Sequence, residues 1–305
     1  MFLENRRGKS MDRFYLFRLK LVLKKNQSSL FEEDRGLLLK EIIMLHPGAY
    51  VRKGIEWIMA NTNTIDQNAI FFKFGRITTK TRDKFDKNSR QFIEAEDDMV
   101  DSTRCIFDSD KQILAIERRY NTPYPSILAR YIADIINNIH ETPLIDKLKN
   151  SKKAFLSMCI CETHAISDPI NFIEYISTAF KVTEFDVTFF RKNPPDFEEL
   201  LQKPMQSFLE ETGGDTSSAG VKSKDGLHIE KLVDVSRAAA ASGSDASARI
   251  QKTSDSRNER VRLKTKKNIA HIDVDKYDYS EIDWLTSLAN TIRAKYKSIR
   301  GRNNG

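Results

Sequence analysis

The sequence predicts an α+β protein with mixed or antiparallel sheets, packed helices and two subdomains. Two observations indicate this class. Short runs rich in aromatic and β-branched residues are bounded by polar turns, which is typical of strands. The elements of the second half follow the order β-α-β-α-α-β-β-α, which does not fit a doubly wound parallel sheet. The 305 residues are 40% hydrophobic and 30% charged, so the chain has enough apolar material to bury a core.

The N-terminal half is predicted as an α+β domain at 13–150 that follows a flexible basic leader at 1–12. Residues 80–101, basic and then acidic, are expected to form a long exposed connection. The remaining elements are assigned from period-two and helical spacing of apolar residues. They are strands at 13–23, 54–61 and 69–77, a helix ended by Pro47 and Gly48, a hairpin of 103–107 with 112–118, and a helix at 122–140.

The C-terminal half is predicted as a second α+β domain at 151–292, followed by a basic tail at 293–305. Residues 211–226 are rich in Gly, Ser and Thr and are expected to form a loop. The assigned elements are strands at 152–163 and 182–190, helices at 168–180, 195–211 and 226–243, a hairpin of 247–252 with 259–267, and a helix from 281.

Composition excludes several classes of protein. No apolar run approaches the roughly 20 residues that a membrane-spanning helix needs, and the N-terminus lacks the apolar segment of a secretory signal. Three cysteines, an odd number, indicate thiols in a reducing compartment rather than a disulfide framework. We therefore expect a cytoplasmic protein.

The distribution of positive charge is more informative than its net value of +7. In the second predicted hairpin, cations alternate with Val261, Leu263 and Thr265, so period-two geometry places them on one face of a β-ribbon. Such a ribbon can lie along a phosphate backbone. The alternative is a solvated sheet face with no ligand. The predicted nucleic-acid contacts are Arg249, Lys252, Arg257, Arg260, Arg262, Lys264 and Lys266.

Three other charged segments permit both a functional and a structural interpretation. The tail cations (Arg293, Lys295, Lys297, Arg300, Arg302) complement a helix dipole or form a phosphate-binding arm. The cluster Arg76, Lys80, Arg82 and Lys84 follows three phenylalanines, which stack on bases or belong to the core. The acidic stretch of Glu94, Glu96, Asp97, Asp98 and Asp101 contacts a partner or is simply solvated.

No residue pattern predicts catalysis, a metal or a cofactor. Cys159, Cys161 and His164 lack the second ligand pair of a zinc site, so buried cysteines are expected. A nuclease centre of Asp108 or Asp110 with Glu117 would need a lysine two residues after the glutamate, where Arg119 stands. Phosphate-loop, nucleophile-elbow and dinucleotide-binding motifs do not occur.

The order of segments nevertheless resembles a known family. Residues 71–98, 104–120, 182–211 and 228–251 are similar to an uncharacterised bacterial family found in phage-defence gene neighbourhoods, and more distantly to the RexA phage-exclusion family. The most specific part is the strand, RKNPPDFEELL and helix unit, followed by the Ala-rich helix and basic hairpin. The resemblance covers residues 13–275. It implies a two-part homodimer that binds DNA with little sequence preference and acts in abortive defence against phage.

The sequence thus supports a leading hypothesis and two alternatives. The first is a non-enzymatic, largely sequence-nonspecific DNA-binding component of an anti-phage system, with double-stranded DNA as ligand and a possible defence partner protein. The second is a metal-dependent nuclease that uses Asp110 and Glu117. The third is a protein–protein scaffold in which the acidic stretch binds a partner.

Overall fold

The computed structural model describes residues 11–24, 34–50, 55–190, 216–265, 268–275 and 282–301. Within these ranges the chain forms two antiparallel sheets and six α-helices, so the predicted α+β class is confirmed. The strands are β1 (Met11–Leu23), β2 (Gly48–Tyr50), β3 (Glu56–Thr64), β4 (Ala69–Asp86), β5 (Gln91–Asp108), β6 (Ile113–Glu117), β7 (Cys159–Ala165), β8 (Lys181–Phe190), β9 (Thr216–Lys222), β10 (Asp245–Gln251), β11 (Glu259–Arg262) and β12 (His271–Asp275).

The first sheet has eight strands and is organised around β1. Its order is β12-β1-β6-β5-β4-β3-β2, and β7 also pairs with β1. Residues 11–15 of β1 pair with β12 and residues 17–23 pair with β7, so β12 and β7 lie end to end along one edge of β1. The second sheet has four strands in the order β11-β10-β8-β9.

The helices form two layers. They are α1 (Arg35–Met44), α2 (Pro125–Asn137), α3 (Asn150–Ser157), α4 (Ile170–Ser177), α5 (Ile229–Ser242) and α6 (Ile282–Arg300). Helices α1, α2 and α3 cover one face of the first sheet, and α4, α5 and α6 pack in the core between its other face and the second sheet. Gly243 ends α5 with a φ of 73°, the left-handed conformation that favours glycine.

Strand β1 contributes to both hydrophobic cores because its side chains alternate between two buried faces. Phe17, Leu19 and Leu21 pack against the layer of α1, α2 and α3. Phe14 and Leu16 belong to the core between the sheets. Residues 16–23 of this strand are all buried, although Arg18 and Lys20 interrupt their apolar run.

The structure corrects three predicted elements. Residues 80–101 are not a connection but the outer part of the β4–β5 hairpin, which is paired continuously from Ala69 with Asp108 to Asp86 with Gln91. The predicted loop at 211–226 contains β9, which pairs with β8 from Thr216 to Lys222. The predicted strand at 152–163 is α3 followed by β7. The predicted helix at 195–211 lies outside the described residues.

The first sheet contains strands from both sides of the predicted division at residue 150, because β7 and β12 pair with β1. Met11 and Asp12, assigned to the leader, begin β1, while residues 1–10 lie outside the described ranges. Helix α6 continues through the predicted basic tail to Arg300, and its Tyr296 and Ile299 are buried.

Candidate nucleic-acid interface

The second sheet has an inner apolar face and an outer charged face, as its period-two sequence predicts. On β10 and β11, Ala248 and Val261 are paired and buried, while Arg249 and Arg260 are paired and exposed. Arg262 follows Val261 and is exposed, opposite Ser247 on β10. Three predicted guanidinium groups therefore share one face of the sheet.

Two carboxylates on β8 lie on the same face. Glu184 is opposite Arg249 on one side and Lys222 of β9 on the other, with salt bridges of 3.5 and 3.3 Å. Asp186 accepts a hydrogen bond from Arg260 Nη2 at 3.0 Å. We call this group of six residues the outer array: Glu184, Asp186, Lys222, Arg249, Arg260 and Arg262.

The outer array is positively charged and its cations are its most accessible part. Four cations and two carboxylates give a formal charge of +2. The side chains of Arg249, Arg260 and Lys222 are 49%, 50% and 74% exposed, against 16% for Glu184. Because the carboxylates lie beneath the cations, each holds a guanidinium or ammonium group in place and leaves outward N–H donors available to an anion.

The other predicted contacts lie elsewhere. Lys252 forms an exposed salt bridge of 2.7 Å with Glu259, which raises its pKa, and Arg257 lies in the loop at 252–258. Lys264 departs from the predicted alternation because β11 ends at Arg262. Its Nζ lies 3.5 Å from the carbonyl of Gly243, and burial lowers its pKa. Lys266 lies outside the described residues.

Sequence reasoning missed Lys222, Glu184 and Asp186. Lys222 falls within the predicted loop at 211–226, because β9 is composed mostly of small polar residues. The two acids could have been found, since Glu184 and Asp186 flank the buried Phe185 and must share the opposite face of β8.

A second group of cations is buried between the sheets. Lys20 Nζ donates to the carbonyl of Ser242 at the end of α5, at 2.8 Å, and burial lowers its pKa well below the usual value. Arg18 bonds the hydroxyl of Tyr296 on α6 at 3.2 Å. Nearby, burial also lowers the pKa of His164, opposed by its hydrogen bond with Glu162. These groups link α5 and α6 to β1, and because they are buried, a polyanion cannot reach them.

The residues of the nuclease alternative are not brought together. Glu117 is buried and paired with Arg104 and Arg119. Asp108 is the last residue of β5 and accepts a hydrogen bond from Arg293 at 2.5 Å, while Asp110 pairs with Lys111. Arg104 stands opposite Glu117, so about four residues of strand, roughly 13 Å, separate this acid from Asp108.

The described residues contain no group of three His, Cys, Asp or Glu side chains that could hold a metal. Cys159 and Cys161 are buried on β7, and burial raises the pKa of both thiols, that of Cys159 to about 11. A raised thiol pKa disfavours the thiolate that a metal requires. The expected burial of these two cysteines is thus confirmed.

Several cations of the remaining charged segments form hydrogen bonds or salt bridges within the fold. Arg293 bonds Asp66 and Asp108, and Lys295 bonds Asp168 at 2.6 Å, so these tail residues fasten α6 to the rest of the fold. Arg76 forms a salt bridge of 3.1 Å with Asp101 of the acidic stretch. Phe71, Phe72 and Phe74 are buried, as the core interpretation predicted.

No protein-family model matches the chain, and no curated protein matches it significantly. No helix among the described residues is long and apolar enough to cross a membrane. The geometry of the charged face is therefore the observation on which a functional proposal depends.

Proposed function

We propose that this chain is a non-enzymatic protein that binds double-stranded DNA through the sugar-phosphate backbone, with little sequence preference. The observation that supports the proposal is the outer array. Its exposed cations, Arg249, Arg260, Arg262 and Lys222, stand on one sheet face in two neighbouring rows. Phosphate contacts of this kind position a protein on a duplex without selecting a sequence.

The carboxylates of the outer array do not prevent this binding. Exposed salt bridges stabilise a fold by about 0–1 kcal/mol each, so a phosphate can replace a carboxylate as the partner of a guanidinium at little cost. Each cation that neutralises a phosphate also releases a condensed counterion, and that gain is absent from the intramolecular pair. Duplex DNA therefore competes favourably with Glu184 and Asp186 at low salt.

The biological role we propose is DNA binding within a bacterial anti-phage system of the abortive type, as a homodimer that acts with a defence partner protein. This part depends on the resemblance of residues 71–98, 104–120, 182–211 and 228–251 to the phage-defence family. A dimer carries two copies of the outer array, which would double the number of phosphate contacts on one duplex. Because the two arrays are linked, the dimer binds DNA more tightly than one array alone.

The test is a salt titration of binding to a labelled duplex of arbitrary sequence. Each lost phosphate contact lowers the slope of log affinity against log salt by about 0.9, so Arg260→Gln with Arg262→Gln lowers it by about 2 per array. The matched control is Lys147→Gln with Lys149→Gln, which removes the same charge from exposed positions before α3. Equal slopes and affinities in the two double variants would refute the interface.

A variant that binds DNA more tightly provides a second test. Glu184→Gln with Asp186→Asn removes the two competing carboxylates and is expected to tighten DNA binding and steepen its salt dependence. Two duplexes of different sequence and a duplex RNA, used as competitors, measure the sequence and ligand preference. A tenfold preference for one DNA sequence would contradict backbone binding.

A further inference from the structure

An open cleft of about 510 Å³ lies at the end of the second sheet where β8 begins and β9 and β10 end. It is separate from the outer array, with which it shares no residue. Its walls come from the start of β8, the turn after β9 and the loop between β10 and β11. The lining residues are Lys181, Thr183, Ser223, Lys224, Gln251, Ser256, Arg257 and Asn258.

The chemistry of this lining favours an anion. Three of the lining residues are cationic, Lys181, Lys224 and Arg257, and no carboxylate lines the cleft among the described residues, although Asp225 and Asp255 are adjacent in sequence. Among the described residues, Lys181, Lys224 and Arg257 form no salt bridge. Three like charges repel one another, and an anion placed between them removes that repulsion. The other lining side chains supply only hydroxyl and amide groups.

The two loops that form the walls are held by internal hydrogen bonds. Gln251 Nε2 donates to the carbonyls of Ser254 and Ser256 at 2.7 and 3.1 Å, which closes the loop that presents Arg257. Lys181 Nζ donates to the carbonyl of Lys224 at 3.3 Å and joins the opposite wall to β8. The Lys181 ammonium group and the loop backbone that carries Lys224 and Arg257 are thus held before a ligand arrives, which lowers the entropy lost on binding.

We propose that this cleft binds the phosphate chain of a small oligophosphate, of the kind present in nucleoside di- and triphosphates. Three cations match the three to four negative charges of such a chain, and the volume lies within the range of small-molecule sites. The lining contains no aromatic side chain on which a base could stack. The phosphates, rather than the base, are therefore the recognised part.

The experiment is calorimetric titration of the full chain with inorganic tripolyphosphate in phosphate-free buffer at low salt. Arg257→Gln and Lys224→Gln, both at exposed positions, are each expected to weaken binding at least tenfold. Lys252→Gln is the matched control, because it removes one cation from the same loop but outside the cleft. This control is expected to change the affinity by less than about twofold, since Lys252 does not line the cleft and its charge is already paired with Glu259.

Further ligands and variants separate the possible sources of phosphate. Adenosine triphosphate is expected to bind like tripolyphosphate, whereas inorganic phosphate, with one phosphoryl group, binds more weakly. Arg260→Gln with Arg262→Gln is expected to leave tripolyphosphate binding unchanged, so this proposal stands or fails independently of DNA binding by the outer array. Absence of tripolyphosphate binding overturns it, as does equal weakening by Arg257→Gln and Lys252→Gln, which would indicate diffuse charge attraction.

Discussion

Glu117 and Glu184 occupy similar positions in the two sheets, since each is a glutamate on a strand between two cationic side chains. Glu117 of β6 is paired with Arg104 and Arg119, and its side chain is 3% exposed. Glu184 of β8 is paired with Arg249 and Lys222 on the outer face. The chemical groups are nearly the same, and the difference lies in how far each is removed from water.

That difference separates a structural ion pair from a replaceable one. Arg104 also bonds Asp12 at 2.8 Å, so its buried network joins β1, β5 and β6. A buried charge that loses its partner cannot recover its hydration, which makes the network intolerant of substitution. In the outer array water or an external anion can replace either partner. We infer that charged sheet residues become candidates for binding only where solvent reaches them.

The largest expected effect is that of Glu117→Ala, which leaves Arg104 buried with one carboxylate partner fewer. We expect a loss of about 3–5 kcal/mol in the free energy of unfolding. The matched variant Glu184→Ala is expected to lose no more than about 1 kcal/mol. Urea denaturation of both variants measures the comparison directly. Equal losses would show that the two networks play the same structural part.

A smaller effect is expected for Arg293→Gln, because this guanidinium group is half-buried. Arg293 joins α6 to Asp66 and Asp108, and charged hydrogen bonds of this kind contribute about 1.5–3 kcal/mol. We expect a loss of about 1–2 kcal/mol at neutral pH. A loss as large as that of Glu117→Ala would contradict the link between burial and stability.

Arg293→Gln is also expected to change how the free energy of unfolding depends on pH in acid. Arg293, together with backbone amides, lowers the pKa of Asp66 from 3.8 to about 2. The folded state therefore binds fewer protons than the unfolded state across this window. The stabilisation is present above pH 4 and is lost as the pH falls towards 2. In Arg293→Gln the decline across this window is expected to be shallower, which unfolding curves measured between pH 2 and 5 will test.

The smallest effect is expected for Arg262→Gln on the outer face. Arg262 is exposed, and surface substitutions away from structural features usually change stability by less than about 0.5 kcal/mol. An unchanged thermal midpoint, beside a reduced salt slope in DNA binding, would separate binding from folding at a single residue. A marked loss of stability would show that this cation is structural, like Arg104.

Most strands and helices could be predicted because their apolar spacing is local information. The alternation of Arg260, Val261, Arg262 and Leu263 predicted the orientation of β11, and Gly243 predicted the end of α5. The outer part of the β4–β5 hairpin, residues 80–101, and strand β9 were missed. The first has long polar edges and the second has small side chains, so neither shows the apolar alternation from which strands are recognised.

By itself the sequence determined the α+β class, the buried face of β10 and β11 and the excess of cations on these two strands, because side-chain direction follows from strand period. Only the tertiary structure decided which charges meet. It placed Glu184 beneath Arg249, enclosed Glu117 with Arg104, and turned Lys264 towards α5. These pairings join residues 13 to 65 positions apart, and strand register and sheet packing, which local spacing does not encode, bring them together.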